Sequence, residues 1–399
     1  MRRSLAGVAL ALALCAAACG GGGGKDGPVT LRVHTASALA DAPATVDIRG
    51  LRAHERVTLR ATWRSVLGRV WAADVPVRAD ADGAVALRGI DGTRFLWGMR
   101  PTGPGPRDDG FFLPVRGERP VALAVVAGGR TVARASLPRR VTAAGVRVRR
   151  LTLGRDGLVG LLFSPPAGAG RRPAAVVFGG SEGGITVADT AALLASHGFP
   201  ALALAYFREP GLPPRLARVP LEYFARAARL LRAQPGVDPR HVLAFGASRG
   251  GEAALLIAST FPGLLHGAVA LVPSAVVNPS PGHFDVPAWT YRGRPVPMEQ
   301  IPIERISGPV LTAGAGLDAV WDSTTATAEV EQRLDGIRFR FAHAAFDYDH
   351  AGHDIGNPLP YRPEPARQAT FGGTARAGAA AKVDLWPRIL RFLAASAKS

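Results

Sequence analysis

The chain has 399 residues, 47% of them hydrophobic, which exceeds one average domain and supplies apolar material for two folded units behind a leader. Its formal charge of +17 comes mostly from arginines scattered through the sequence, with no basic block and no nucleic-acid motif. A solvated arginine-rich surface is expected, attraction to anionic lipid or a phosphate-bearing substrate is the alternative, and no nucleic-acid partner is indicated. Both cysteines, Cys15 and Cys19, stand near the start, which excludes disulfides and a cysteine nucleophile from the rest of the chain.

The chain opens with Arg2 and Arg3, an apolar run from Leu5 to Ala18, then Cys19 and the glycines Gly20 to Gly24. The apolar run is shorter than the roughly 20 residues a helix needs to cross a bilayer, so it reads as an export signal. Ala17-Ala18-Cys19 resembles the site at which bacterial lipoproteins are cleaved and acylated, although Ala16 stands where leucine is more usual. Residues 1–28 are therefore expected to be a signal peptide and a flexible glycine tether, with Cys19 lipidated and the protein exported and membrane-anchored. An ordinary secreted form is the alternative.

From about Val29 to Arg140 the pattern is short and alternating. Val57, Leu59, Ala61 and Trp63 fall on one face of a strand, Thr58, Arg60 and Thr62 on the other, and Asp82-Gly83 and Asp91-Gly92 break the runs. Residues 29–142 are expected to form a small all-β sandwich that offers no nucleophile with partners. A strand pair follows near Val146–Leu153 and Leu158–Phe163, closed by Pro165-Pro166.

Beyond it strands alternate with helices, which predicts a mainly parallel sheet covered on both faces over residues 143–399. The strands expected are Ala174–Phe178, Ala201–Ala205, Val242–Phe245, Pro309–Ala313 and a strand-like stretch Ile337–Ala342. Leu221, Phe224, Ala225, Ala228 and Leu231 recur at helical spacing before Pro235-Gly236, and Asp384 and Pro387 suit the start of a C-terminal helix buried through Ile389, Leu390 and Leu393. The order describes an α/β-hydrolase core. Val276 to Ile306, with Pro279, Phe284, Trp289 and Tyr291, interrupts the rhythm as either a cap over the active site or a surface loop.

The chemistry centres on Phe245-Gly246-Ala247-Ser248-Arg249-Gly250-Gly251, a G-x-S-x-G turn with a strand before it and an apolar helix, Glu252 to Ala258, after it. A serine hydroxyl needs a histidine to take its proton and a carboxylate to hold that ring in the useful tautomer, and in this fold they follow in the order serine, acid, histidine. His353, preceded by a glycine that permits a tight loop, is the candidate base, with His350 and His343 as competitors. Asp318, just past the strand Pro309–Ala313, is the candidate acid, with Asp322 as its rival.

The oxyanion of the tetrahedral intermediate needs backbone N–H donors. One is expected at Arg249 and the other at Ser181 or Glu182, in the loop Gly179-Gly180-Ser181-Glu182-Gly183-Gly184. That loop is followed by no Gly-Lys-Ser/Thr to cradle a phosphate. His350 and His353 with Asp349 and Asp354 lack the cysteine or H-E-x-x-H support of a metal site, so neither metal nor cofactor is expected.

Many ordered stretches resemble the acyl-CoA thioesterase and bile acid-CoA:amino acid N-acyltransferase family. In the first half they are Ala38-Leu39-Ala40-Asp41, Gly50-Leu51, Val57–Ala61, Phe95–Met99 and Gly157–Gly160; in the second, Gly179–Gly184, His197–Phe199, Pro220–Phe224, Gly246–Glu252, Ala288–Gly293, Asp318 with Trp321, Ala351–His353 and Gly372–Thr374. The resemblance implies a β-sandwich joined to an α/β-hydrolase, a triad mapping onto Ser248, Asp318 and His353, and an acyl thioester as small-molecule substrate. Family members with a cysteine nucleophile tend toward acyl transfer, so Ser248 implies hydrolysis. Leu317 stands where the family often has a second acid, and an export leader sits uneasily with acyl-CoA, which is made and kept inside cells. An oxygen ester or lactone outside the cytoplasm, or a catalytically silent surface binding module, are the rival expectations.

Overall fold

The computed structural model describes residues 27–66, 68–103, 113–168, 170–365 and 368–398, so Cys15, Cys19 and the Gly20–Gly24 tether lie outside the described residues. Among the described residues the chain divides into two compact units, one within Met1–Leu113, Glu118–Arg140 and Tyr361–Pro363, the other within Pro114–Gly117, Val141–Pro360 and Glu364–Ser399. Among the described residues no helix is long and apolar enough to cross a membrane.

The first unit is built from two antiparallel sheets. One orders Thr30–Thr35, Ala44–Arg49 and Val85–Leu87; the other orders Arg100–Thr102, Val70–Arg78, Arg56–Arg64, Val121–Ala127 and Arg130–Leu137. Along Arg56–Arg64 the side chains of Val57, Leu59, Ala61 and Trp63 are buried and their neighbours are not. They meet Val46 and Ile48 of the smaller sheet in a shared core, the packing of a sandwich. Asp82-Gly83 forms the expected turn, with Asp80 Oδ1 accepting the amides of Asp82 and Ala84. Asp91-Gly92 instead closes one helical turn, Gly89–Gly92.

In the second unit eight strands form one sheet: β1 (Arg147–Leu151), β2 (Val159–Ser164), β3 (Arg172–Phe178), β4 (Ala201–Ala205), β5 (Val237–Ala247), β6 (Ala268–Leu271), β7 (Val310–Ala315) and β8 (His343–Tyr348). Their order is β8-β7-β6-β5-β3-β4-β2-β1; β3 to β8 run parallel, and β2 is antiparallel to both β4 and β1. The longer helices are α1 (Ala188–Ser196), α2 (Leu221–Arg232), α3 (Arg249–Thr260), α4 (Ser323–Gly336) and α5 (Ala375–Ala395). Every residue of β4 and β6 is buried, as a parallel sheet covered on both faces requires. The helical stripe Leu221, Phe224, Ala225, Ala228 and Leu231 is buried on α2. This is the α/β-hydrolase arrangement, and it aims the C-terminal ends of β3, β5, β6, β7 and β8 at one rim.

Two elements differ from expectation. The last strand is His343–Tyr348, not Ile337–Ala342. Gly336 ends α4, Phe339 N–H bonds back to Leu334 O, and Arg340 lies over the ring of Phe341, so alternating apolar and basic residues imitate a strand inside a connection. The C-terminal helix starts near Ala375, well before Asp384. Thr374 caps it by accepting the Ala377 amide at 3.2 Å, an alanine-rich run extends it, and Pro387 sits inside it on the exposed side.

The Val276–Ile306 excursion is not a bare surface loop. It carries the strand pair Pro279–Ser280 and His283–Pro287, and a second pair, Trp289–Tyr291 with Arg294–Pro295, that extends Val219–Pro220. Trp289, Ile301, Ile303 and Ile306 enter the main core.

Candidate active site

β5 ends at Ala247 and α3 begins at Arg249, which leaves Ser248 on the bend with φ 56° and ψ −125°. A non-glycine residue there is strained, and the surroundings hold it. The Ser248 amide donates to Leu271 O at 2.9 Å, and its carbonyl accepts the Glu252 amide at 3.0 Å. The flanking glycines let backbones meet: a Cβ at Gly246 would lie 2.0 Å from Gly250 O, and one at Gly250 would lie 2.4 Å from Gly179 O. Strand, bend and helix can close this tightly only without those methyls.

Asp318 follows β7, and His353 opens a single turn, His353–Gly356, after β8. His353 Nδ1 and Asp318 Oδ2 are 2.7 Å apart, with the side chains 8% and 1% exposed. The same Oδ2 accepts the Ser323 hydroxyl at 2.7 Å, while Oδ1 accepts the amides of Val320 at 2.8 Å and Trp321 at 3.3 Å. Burial opposes ionisation of Asp318, but the His353 hydrogen bond and charge, the Ser323 hydroxyl and the Val320 amide outweigh it and hold the carboxyl below the ordinary carboxylate range.

The His353 ring packs edge-on against Trp321 at 5.5 Å and parallel to Phe371 at 6.5 Å. Trp321 Nε1 donates to Val272 O at 3.0 Å, next to the Leu271 carbonyl that holds Ser248. A Cβ at Gly356 would come 3.1 Å from Ala247 Cβ, so the His353 turn lies against the Ser248 bend.

Gly352 plays a different part from the one its position suggested. Its backbone is ordinarily extended (φ −111°, ψ −175°), and its value is space, because a Cβ would stand 2.2 Å from Gly372 O. The rivals lie elsewhere. Asp322 caps α4 by accepting the Thr325 amide and hydroxyl, His343 pairs with Asp335 at 2.9 Å, and His350 contributes its carbonyl to the Thr374 amide. Asp354 pairs with Lys382 rather than joining His350 and His353 as a ligand.

The loop after β3 borders Ser248, since a Cβ at Gly180 would lie 2.9 Å from Ser248 Cβ. The Gly180 amide is taken by Glu182 Oε1 at 3.0 Å, an oxygen that also accepts the Thr186 hydroxyl at 2.8 Å. Among the described residues the amides of Ser181 and Glu182 have no such acceptor. The Arg249 amide is the first of α3, where no carbonyl one turn earlier can receive it. The buried Tyr206 hydroxyl braces this loop by donating to Gly179 O at 2.8 Å and Gly180 O at 3.0 Å; burial, with the nearby Glu182 charge, holds its pKa well above the ordinary phenol value.

Sequence reasoning passed over a buried ion pair behind the bend. Arg249 Nη1 meets Glu252 Oε2 at 2.9 Å, and the Glu252 carboxylate also accepts Trp289 Nε1 at 2.7 Å, the Asn278 amide at 3.1 Å and Asn278 Nδ2 at 2.9 Å. Burial raises the Glu252 pKa, partly offset by Arg249, Trp289 and Asn278. An acid inside the apolar run Glu252–Ala258 was the available signal. The carboxylate pins both ends of the 278–289 stretch to α3.

The chain is 30% identical over 402 aligned residues to the acyl-coenzyme A thioesterase 6 of Mus musculus, an alignment covering 88% of this chain and 93% of that protein. The chain belongs to the acyl-CoA thioesterase family. The peroxisomal succinyl-coenzyme A thioesterase of Mus musculus is 27% identical, with 90% of this chain and 94% of that protein covered. The family model described as BAAT / Acyl-CoA thioester hydrolase C terminal matches residues 219–287 and 285–398, which include Ser248, Asp318 and His353. Among solved structures, a Pyrobaculum calidifontis esterase aligns with a TM-score of 0.40 at 17% identity, covering 60% of this chain and 85% of that one. For this member of the acyl-CoA thioesterase family, the resemblance read from ordered motifs is borne out.

Proposed function

We propose that the chain hydrolyses acyl thioesters of the acyl-CoA type through an acyl-Ser248 intermediate. The observation that carries this reading is the His353–Asp318 hydrogen bond of 2.7 Å at the rim where Ser248 stands on its strained bend. With the Nδ1 proton directed at Asp318, Nε2 keeps a lone pair to take the Ser248 proton as Oγ attacks the thioester carbonyl. The tetrahedral oxyanion is held by the Arg249 amide and an amide at Ser181 or Glu182. Its collapse breaks the C–S bond, the imidazolium returns the proton to sulfur, and the thiol leaves. Water then loses a proton to His353 as it attacks the acyl-serine, and the second collapse restores the hydroxyl and frees the acid.

Ser248→Ala tests this directly. Thioester turnover should fall by more than about 10³-fold with the fold retained by circular dichroism, and a fluorophosphonate probe should label the wild type alone. Undiminished turnover in the variant would refute the assignment, and an unlabelled wild type would favour a binding module. Rates on decanoyl-CoA and on a matched alkyl ester decide between thioester and oxygen-ester preference.

The reading extends to location. The basic start, apolar run and Ala17-Ala18-Cys19 support an exported protein anchored through lipidated Cys19. Wild-type protein should then sediment with membranes and Cys19→Ala should be released; a wild type recovered in the soluble fraction defeats the anchor.

A further inference from the structure

β6 ends at Leu271, and the next residue, Val272, is fully buried with φ 39°. That left-handed region is ordinarily left to glycine, and a β-branched side chain there is strained. Pro273 follows, and a residue before proline is restricted further, so the surroundings must hold this conformation. They do so from three directions. The Val272 amide donates to Ala313 O of β7 at 2.7 Å, its carbonyl accepts Trp321 Nε1 at 3.0 Å, and its side chain packs with Ala315, Ala351 and Ile355. A Cβ at Gly356 would stand 2.9 Å from Val272 Cγ2.

The strained residue is bonded to the Ser248 bend. Leu271 O, which accepts the Ser248 amide at 2.9 Å, belongs to the same planar peptide as the Val272 N–H, so one rigid unit joins Ser248 to β7. The next peptide takes the Trp321 indole N–H on its carbonyl, and Pro273 brings no N–H to tie it from the other side. Trp321 reaches the acid and the base as well. Its amide donates to Asp318 Oδ1 at 3.3 Å, and its ring stands edge-on to His353 with 5.5 Å between centroids. One residue therefore meets the segment that holds Ser248, the loop that carries Asp318 and the ring of His353.

We propose that Trp321 is a positioning residue that fixes Ser248 relative to the His353–Asp318 pair. Its indole N–H keeps Val272 in the left-handed conformation, which aims Leu271 O at the Ser248 amide, while the same ring bears against the imidazole. Loss of that N–H lets the backbone around Val272 relax toward ordinary angles and moves the serine out of line with its base. The inference rests on the triad reading of Ser248, His353 and Asp318.

The test is steady-state turnover of decanoyl-CoA by the full chain, with the rate of fluorophosphonate labelling alongside. Trp321→Phe keeps an aromatic ring beside His353 and removes the N–H. It should lower kcat and the labelling rate about 10- to 100-fold and leave KM within about two-fold, because a misplaced nucleophile loses rate rather than binding. Val272→Gly relaxes the same link by admitting other backbone angles and should lower both rates too. Since both substitutions free one segment, the double variant should lose less than the product of the two single losses, by more than about two-fold.

A folded Trp321→Phe with wild-type kcat, whether or not KM rises, would overturn the proposal. So would a double variant whose loss matches the product of the single losses within about two-fold, or exceeds it, since Trp321 would then act by another route. If Trp321→Phe fails to fold, Val272→Gly alone decides: labelling slowed about ten-fold supports the link, and labelling at the wild-type rate overturns it. His353→Ala turning over as fast as wild type would overturn the triad, and this inference with it; a slow His353→Ala beside an unimpaired Trp321→Phe defeats Trp321 alone.

Discussion

Ser248, the proposed nucleophile, is held in its bend by the atoms packed around it. The Ser248 backbone is kept out of its preferred regions by two hydrogen bonds and by glycines that admit Gly250 O and Gly179 O at close range. Tyr206 extends that constraint to the Gly179–Gly184 loop through a single hydroxyl shared by two carbonyls. Tyr206→Phe should therefore cost about 1–2 kcal/mol in urea unfolding and lower kcat more than it raises KM, since the loop is the one proposed to hold the oxyanion. Unchanged kinetics would mean the loop is held without it. Asp318→Asn should reduce kcat roughly 10³- to 10⁴-fold by spoiling the imidazole tautomer, as steady-state rates would show. The Ser248 turn was legible because the adjacent residues announce strand, bend and helix, whereas Tyr206 lies far upstream in a stretch with no motif of its own.

Among the elements, α3 does two things at once. Its first residue directly follows Ser248, and its Glu252 gathers Arg249, Asn278 and Trp289 into one buried polar knot. Glu252→Ala strands the Arg249 charge and should destabilise the chain by about 3–5 kcal/mol, with Trp289 fluorescence altered in the folded state. Arg249→Met combined with Glu252→Leu should recover part of that loss, because it removes the charge as well as its partner. Equal destabilisation of the single and double variants in calorimetry would contradict the ion-pair account. The same scale shows why two boundaries were misjudged. Ile337–Ala342 alternates like a strand, yet only His343–Tyr348 continues in register with β7, starting from Val310 opposite His343. Pro387 suggested a helix start, but the alanine-rich run before it carries the helix from Thr374 and tolerates the missing N–H on the exposed side.

For the whole molecule the charge balance sets the response to acid. Burial would raise the Asp238 pKa, but the Arg240 amide and the His241 and Arg240 side chains outweigh it and lower it to about 2. A folded-state pKa below the unfolded value near 4 means that this stabilisation is present above about pH 4 and is lost as pH falls toward 2. The partly screened pair contributes about 1 kcal/mol, so Asp238→Asn should be less stable by that amount at pH 7 and converge with wild type at pH 2. A constant difference across that range in denaturant titrations would contradict the linkage. Asp318 follows the same sign, its depressed pKa adding to the loss on acidification.

The sequence by itself determined the strand-bend-helix turn at Ser248, the alternation of strands and helices, and the family, because each is written in residues that are neighbours or in ordered local motifs. Periodicity also marked which faces of Arg56–Arg64 and of α2 would be buried. The tertiary structure alone decided which acid meets which histidine, since Asp318 and Asp322 are equivalent on paper and only the loop zipped to Phe371 and Ala351 turns the former toward His353. It alone revealed the charges behind the site, Glu252 with Arg249 and Lys382 with Asp354 and Glu364. The reason is physical: local backbone preferences act over a few residues, whereas a hydrogen bond or a buried ion pair depends on ångström separations between residues that the fold, and not the chain order, brings together.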